Sequence, residues 1–410
     1  MQFKQAQLDN GLSIIGEHNP AAASMAIGFF VRTGSRDETP EIAGVSHFLE
    51  HMMFKGTARR SPFDINREFD EMGAAYNAFT SEENTVYYGA VLPEFQDRLL
   101  DLLGDMLRPA LRNGDFDTEK NVILEEIALY DDRPQYRLYE KLMAEHFGSH
   151  PLSHSVLGTR ESIKALKRDD MLAYFEHRYS PSNVTMIGVG NLKWNAFVTK
   201  AQQMCGHWRP FEVHRQMPLQ APNPKAKWLP DPKLIRQHVG MMSPAPAAQE
   251  ETRYAAHLLA TILGDATGSR LFYALVDPAI AEEASCSYDE MDGAGGFITF
   301  ISADPDRAEE AARIAREEYR KFLQEGPSQD EMRAAKNKTA SAITLKGELP
   351  MGRLTAVGFD WLYRHFYRSL DEHIRRIMVV TADEALALAR QYDILAATTV
   401  GLGPKEALAV

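Results

Sequence analysis

The sequence predicts an α+β protein of two homologous domains, each an antiparallel-rich sheet packed with helices. Three observations carry that prediction. At 410 residues and 44% hydrophobic content, the chain is long enough to bury two or more cores. A proline-dense segment runs from Arg209-Pro210 through Pro218, Pro222, Pro224, Pro230 and Pro232. Proline at that density suits an extended linker and disfavours helix or central strand. The two parts also echo each other: Asp169-Asp170-Met171-Leu172-Ala173-Tyr174-Phe175 before the strand-like run 183–190 parallels Thr381-Ala382-Asp383-Glu384-Ala385-Leu386-Ala387 before 397–403. The expected domains are residues 1–215 and residues 233–410, joined by a linker over 216–232.

In chain order, residues 1–11 read as a strand entering an Asp9-Asn10-Gly11 turn and not as a signal or transit peptide. Next comes a helix with Thr39 as N-cap and Pro40 in its first turn. Its apolar stripe is Ile42, Val45, Phe48, Leu49, Met52 and Met53, and Gly56 is its stop. The Met52-Met53 pair reads as core filling and not as soft-metal ligands. Residues 85–91 are rich in strand formers, and with 73–80 before them they read as a hairpin. Residues 117–127 form an amphipathic helical pattern, with Glu119 and Glu126 two turns apart on one face and Glu125 about 100° away from Glu126.

The chemistry concentrates in His47-Phe48-Leu49-Glu50-His51. Imidazoles at i and i+4 share one helical face, so both can reach one metal ion without bending the backbone. Glu50 is poorly placed to be an equal third ligand and better cast as the general base for a zinc-bound water. A catalytic zinc takes three protein ligands and keeps one open position, so another element must supply a donor. Glu119 or Glu126 could do so, although helix glutamates are ordinarily solvated.

The chain resembles the inverzincin, or pitrilysin-like, zinc metallopeptidases (peptidase family M16), and most closely their short bacterial and processing-peptidase branch. The resemblance rests on residues 44–57, on Asn77-Ala78-Phe79-Thr80 and on 119–127, and extends over nearly the whole chain. It implies that His47, His51 and Glu126 hold Zn2+, with Glu126 lying 126 − 51 = 75 residues past His51, and that Glu119 orients a ligand from behind. It also implies an edge strand at Asn77 and Ala78 to which peptide substrate adds by main-chain hydrogen bonds. The two domains would face each other across a chamber that admits unfolded peptides, and the second domain would lack a metal motif. The implied activity is zinc-dependent endopeptidase hydrolysis of unfolded peptides.

One feature departs from that pattern. Many active relatives carry, after a Ser-Arg-Leu-Phe segment, an arginine and a tyrosine seven apart that clamp substrate and stabilise the oxyanion. Here those positions are Val276 and Glu283. Tyr288 or Arg270 could substitute, or a partner subunit could supply the pair, which favours a homodimer or a heterodimer with a related subunit. A noncatalytic or peptide-binding scaffold subunit of the same fold is the alternative function, since fold alone does not fix activity.

Composition bounds the rest. A net charge of −12 disfavours binding to nucleic acid or to an anionic membrane surface, and no apolar run is long enough to span a bilayer. Two distant cysteines, Cys205 and Cys286, indicate no disulfide framework or zinc–cysteine motif, and a cytoplasmic location is expected. His146, His150 and His154 lack a fixed metal-ligand spacing and read as surface or packing groups.

Overall fold

The computed structural model describes residues 1–221 and 223–408. Pro222, placed by the sequence in the linker, and the last two residues of the second expected domain lie outside the described residues. The chain forms two compact units. The first contains residues 1–128, 154–216 and 345–369, and the second contains 129–153, 217–344 and 370–410. Neither unit is contiguous in sequence, because each sheet takes a covering helix from a stretch that the linear division at 216–232 assigns elsewhere.

The first unit is built on a six-stranded sheet ordered β1-β2-β6-β3-β5-β4. Its strands are β1 (Gln2–Gln7), β2 (Ser13–His18), β3 (Met25–Val31), β4 (Ala75–Thr80), β5 (Thr85–Val91) and β6 (Val184–Gly190). All neighbours are antiparallel except β2 and β6. All seven residues of β3 are buried, as expected of a central strand covered on both faces. One cover is the Pro350–Arg364 helix, whose Leu354, Val357 and Leu362 pack with Ile15, Phe30, Val86 and Ile187. Gly358 lets that helix lie close, since a Cβ there would fall 2.3 Å from the Phe30 ring.

The second unit is built on a five-stranded sheet ordered β7-β11-β8-β10-β9. Its strands are β7 (Ala226–Pro230), β8 (Gln237–Pro244), β9 (Glu283–Met291), β10 (Ala294–Ala303) and β11 (Thr398–Gly403). Leu138 and Leu142 of the Pro134–Phe147 helix pack with Met242, Val400 and Leu402 in one apolar cluster. The Arg253–Gly264 and Ala308–Glu325 helices contribute to a second cluster with Val239, Phe297 and Ile301.

The repeat legible in the sequence is visible in the sheets. The Arg168–Arg178 helix precedes β6, which lies parallel to β2 and antiparallel to β3. The Ala382–Gln391 helix precedes β11, which lies parallel to β7 and antiparallel to β8. The expected linker is less strand-poor than its prolines suggest, because Ala226-Lys227-Trp228-Leu229-Pro230 pairs with β11 as an edge strand. An edge strand has one side free of partners and so tolerates proline.

Candidate metal centre

The Val45–Met53 helix carries both histidines, and it starts later than Thr39 and Pro40 suggest. Pro40–Ile42 forms a short 3-10 turn, Thr39 makes no side-chain cap, and Gly44 takes a left-handed conformation (φ 91°) before the helix. The cap comes from further back. Buried Glu38 accepts hydrogen bonds from the backbone N–H groups of Gly44 and Ser46, each at 2.7 Å. Two donors on one carboxylate fix the first turn of the helix, although burial pushes the Glu38 carboxyl up to about 8. Glu38 is not legible in the sequence as a cap, because a cap six residues upstream has no short-range signature.

The helix faces the longer Asn113–Asp131 helix, and stacked Phe48 and Phe116 rings 4.7 Å apart pin the two together. That packing brings Glu119 and Glu126 to the histidines, while Glu125 is exposed. Glu126 Oε2 lies 3.7 Å from His47 Nε2 and 3.5 Å from His51 Nε2. One ligand atom from each of these three residues lies within 4.8 Å of the other two. With metal–ligand bonds of about 2.0–2.1 Å, a tetrahedral zinc separates its ligand atoms by roughly 3.3 Å. The donor set and its spacing therefore fit a zinc ion.

Glu119 acts behind His51. Its Oε1 is 2.9 Å from His51 Nδ1, and its Oε2 is 2.6 Å from Lys55 Nζ. Burial raises the Glu119 carboxyl, but the bonds to His51 and Lys55 outweigh it and hold the group below its ordinary value. An ionised Glu119 keeps the His51 proton on Nδ1 and leaves the Nε2 lone pair facing Glu126. Burial alone would lower the His51 pKa, yet the Glu119 bond and the charges of Glu126 and Glu50 raise it overall. His47 is different: burial, then His51, pull it down to about 3, so it stays neutral and able to ligate.

Glu50 sits on the same helix and is 9% exposed. Burial raises its carboxyl, partly offset by a 2.7 Å hydrogen bond from Thr80 Oγ1 to Oε2. Thr80 ends β4, the outer strand of the sheet, and β4 also carries Asn77 and Ala78. Ser81 N–H donates to Asn84 O at the hairpin end, so alternation along the ladder leaves the backbone groups of Tyr76, Ala78 and Thr80 pointing off the free edge. Asn77 is exposed, and its Oδ1 accepts the Ala78 N–H at 2.9 Å.

The remaining sequence candidates each have partners within their own unit. His146 and His150 are buried in the second unit, where His146 Nδ1 meets Thr398 Oγ1 and His150 Nε2 meets Pro218 O. His154 Nδ1 bonds Ser35 O in the first unit, so all three are packing groups with separate partners. Met52 and Met53 are buried in the core. Val276 closes a five-residue π-helical turn, and Glu283 opens β9 and accepts from Gln135. The two candidate substitutes already have partners: Arg270 pairs with Glu331, and Tyr288 donates to Pro246 O.

Family models match both halves, the insulinase (peptidase family M16) model over residues 13–160 and the peptidase M16 inactive-domain model over 165–339. The chain is 30% identical over 392 residues to an uncharacterized zinc protease, YmxG, of Bacillus subtilis, covering 95% of each chain. This chain belongs to peptidase family M16. A second relative, an uncharacterized zinc protease of Rickettsia felis, is 28% identical and matches over 98% of each chain. The fold matches that of a protease from Helicobacter pylori with a TM-score of 0.91 at 19% identity, covering 98% of this chain and 99% of the other. A putative M16-like peptidase from Alicyclobacillus acidocaldarius gives 0.86 at 20% identity, with 98% of each chain covered. Among the described residues, no helix is long and apolar enough to cross a membrane.

Proposed function

We propose that this family M16 protein is a zinc-dependent endopeptidase acting on unfolded peptides, with His47, His51 and Glu126 as metal ligands and Glu50 as general base. The observation that carries the reading is the convergence of those three ligand atoms beside a buried carboxylate held by Thr80. Zinc bound there would supply Lewis acidity, lowering the pKa of a coordinated water to about 7 and polarising the scissile carbonyl. Glu50 takes the proton from the attacking water and delivers it to the leaving amine. Glu119, backed by Lys55, holds His51 in the ligating tautomer. The free edge of β4 at Ala78 accepts extended peptide backbone, a mode of recognition that reads little of the side-chain sequence.

A second reading, in which a partner subunit completes substrate binding, draws support from Val276 and Glu283 and from the prior engagement of Arg270 and Tyr288. Two buried free thiols, Cys205 and Cys286, suit a reducing compartment. The test of the main reading is turnover of an unstructured peptide library by the purified protein. Wild type should cleave, and Glu50→Gln should not. Equal turnover by the two would remove Glu50 from the chemistry, and absence of cleavage by a monomer but not by a complex with a related subunit would favour the second reading.

A further inference from the structure

We infer that Thr80 is a positioning residue that couples the seating of a peptide on β4 to the orientation of the general base. The inference rests on the proposed role of Glu50 and goes beyond it by assigning a task to a residue that is neither a ligand nor an acid–base group. Thr80 is the one hydrogen-bond partner of the Glu50 carboxylate among the described residues. Its hydroxyl donates to Oε2 at 2.7 Å, an ordinary length for an O–H···O bond, and leaves Oε1 free. A carboxylate on a flexible side chain otherwise rotates about its last torsion, which is broad.

The backbone of the same residue points elsewhere. Thr80 pairs with Thr85 at a position where neither exchanges ladder hydrogen bonds, so its N–H and C=O face the free edge of the sheet. One residue thus offers its main chain to an added peptide strand and its side chain to the base. The face of β4 that carries Tyr76, Ala78 and Thr80 is anchored at its other end, where Tyr76 stacks on Phe69 at 3.7 Å and on Phe54 at 6.3 Å. Phe54 immediately follows the Val45–Met53 helix, so strand and metal-bearing helix are tied at both ends of the contact. Movement of the edge relative to that helix therefore shifts substrate backbone and base together.

The experiment compares Thr80→Val, which keeps shape and backbone but removes the donor, with Thr80→Ser, which keeps the donor. Zinc content and thermal midpoint are measured on each variant alongside steady-state cleavage of one unstructured peptide. Misorientation of a reacting group costs up to about 10²-fold, so Thr80→Val should lose roughly ten- to a hundredfold in kcat with KM and zinc content unchanged. Thr80→Ser should restore most of the loss. A Thr80→Val enzyme with wild-type kcat, a loss confined to KM, or equal losses in both variants would overturn the inference. Should Thr80→Val fail to fold, Thr80→Ala against Thr80→Ser carries the same comparison with the same readings. Glu50→Gln assayed in parallel separates the two levels: activity surviving in Glu50→Gln defeats the proposed base, whereas an inactive Glu50→Gln beside an unaffected Thr80→Val defeats only the role of Thr80.

Discussion

Replacing Arg353 with methionine should release residues 345–369 from the first unit without disturbing His47, His51 and Glu126. Arg353 is 2% exposed and Glu17 is fully buried on β2, so their charges meet away from water. The Arg353 guanidinium donates Nε to Glu17 Oε1 at 2.8 Å and Nη2 to Oε2 at 2.6 Å, and Tyr367 donates to Oε2 at 2.6 Å. The intact pair adds little net stability, because desolvation cancels much of its attraction. Removing one partner leaves Glu17 charged and buried with one remaining donor, at a cost of about 3–5 kcal/mol. At about 1.4 kcal/mol per tenfold, amide exchange across the Pro350–Arg364 helix should accelerate roughly 10²- to 4 × 10³-fold in Arg353→Met. Hydrogen-exchange mass spectrometry of peptides spanning that helix reads the change directly. The double variant Glu17→Gln/Arg353→Met, which buries no charge, should recover part of the protection. Acceleration of less than tenfold in Arg353→Met, or no recovery in the double variant, would refute the reasoning.

Two pH effects follow from burial and partners. In zinc-free protein, an NMR titration of His51 should give a pKa above the ordinary histidine value of 6.5, and Glu119→Gln should lower it; an unchanged value would detach Glu119 from His51. His146 is held down to about 4 by burial, so between about pH 6.5 and 4 the unfolded chain takes up a proton that the folded chain refuses. Stability is therefore lost as pH falls through that window, by up to about 3 kcal/mol from this group. His146→Gln should show a smaller drop in denaturant midpoint from pH 7 to pH 4.5 than wild type, and an equal drop would assign the acid sensitivity to other groups.

Local patterns were legible in the sequence where their physics is local. Helical spacing alone puts His47 and His51 on one face and Glu119 and Glu126 on another, and the packed helices bring those faces together. The echo of 169–190 in 381–403 anticipates that β6 and β11 occupy equivalent places in their sheets. Features created by tertiary packing were not legible. Glu38 caps its helix through a turn and a left-handed glycine, and no residue at the usual cap position announces it. The transfer of 129–153 and 345–369 between units depends on which sheet face each helix covers, and an apolar stripe does not name its partner. Strand β7 hides between Pro224 and Pro230 because only an edge accepts them. Thr80 lay in view within Asn77-Ala78-Phe79-Thr80, yet its hydroxyl acquires meaning only from the Glu50 carboxylate 2.7 Å away.

The central claim is that metal holding and proton transfer belong to different carboxylates of one site. Its most direct test is zinc content measured together with peptide cleavage in Glu50→Gln and Glu126→Gln. Glu50→Gln should retain zinc at the wild-type level and lose cleavage, whereas Glu126→Gln should lose zinc affinity and cleavage together. Wild-type turnover in both variants, or zinc lost from Glu50→Gln and kept by Glu126→Gln, would contradict the account.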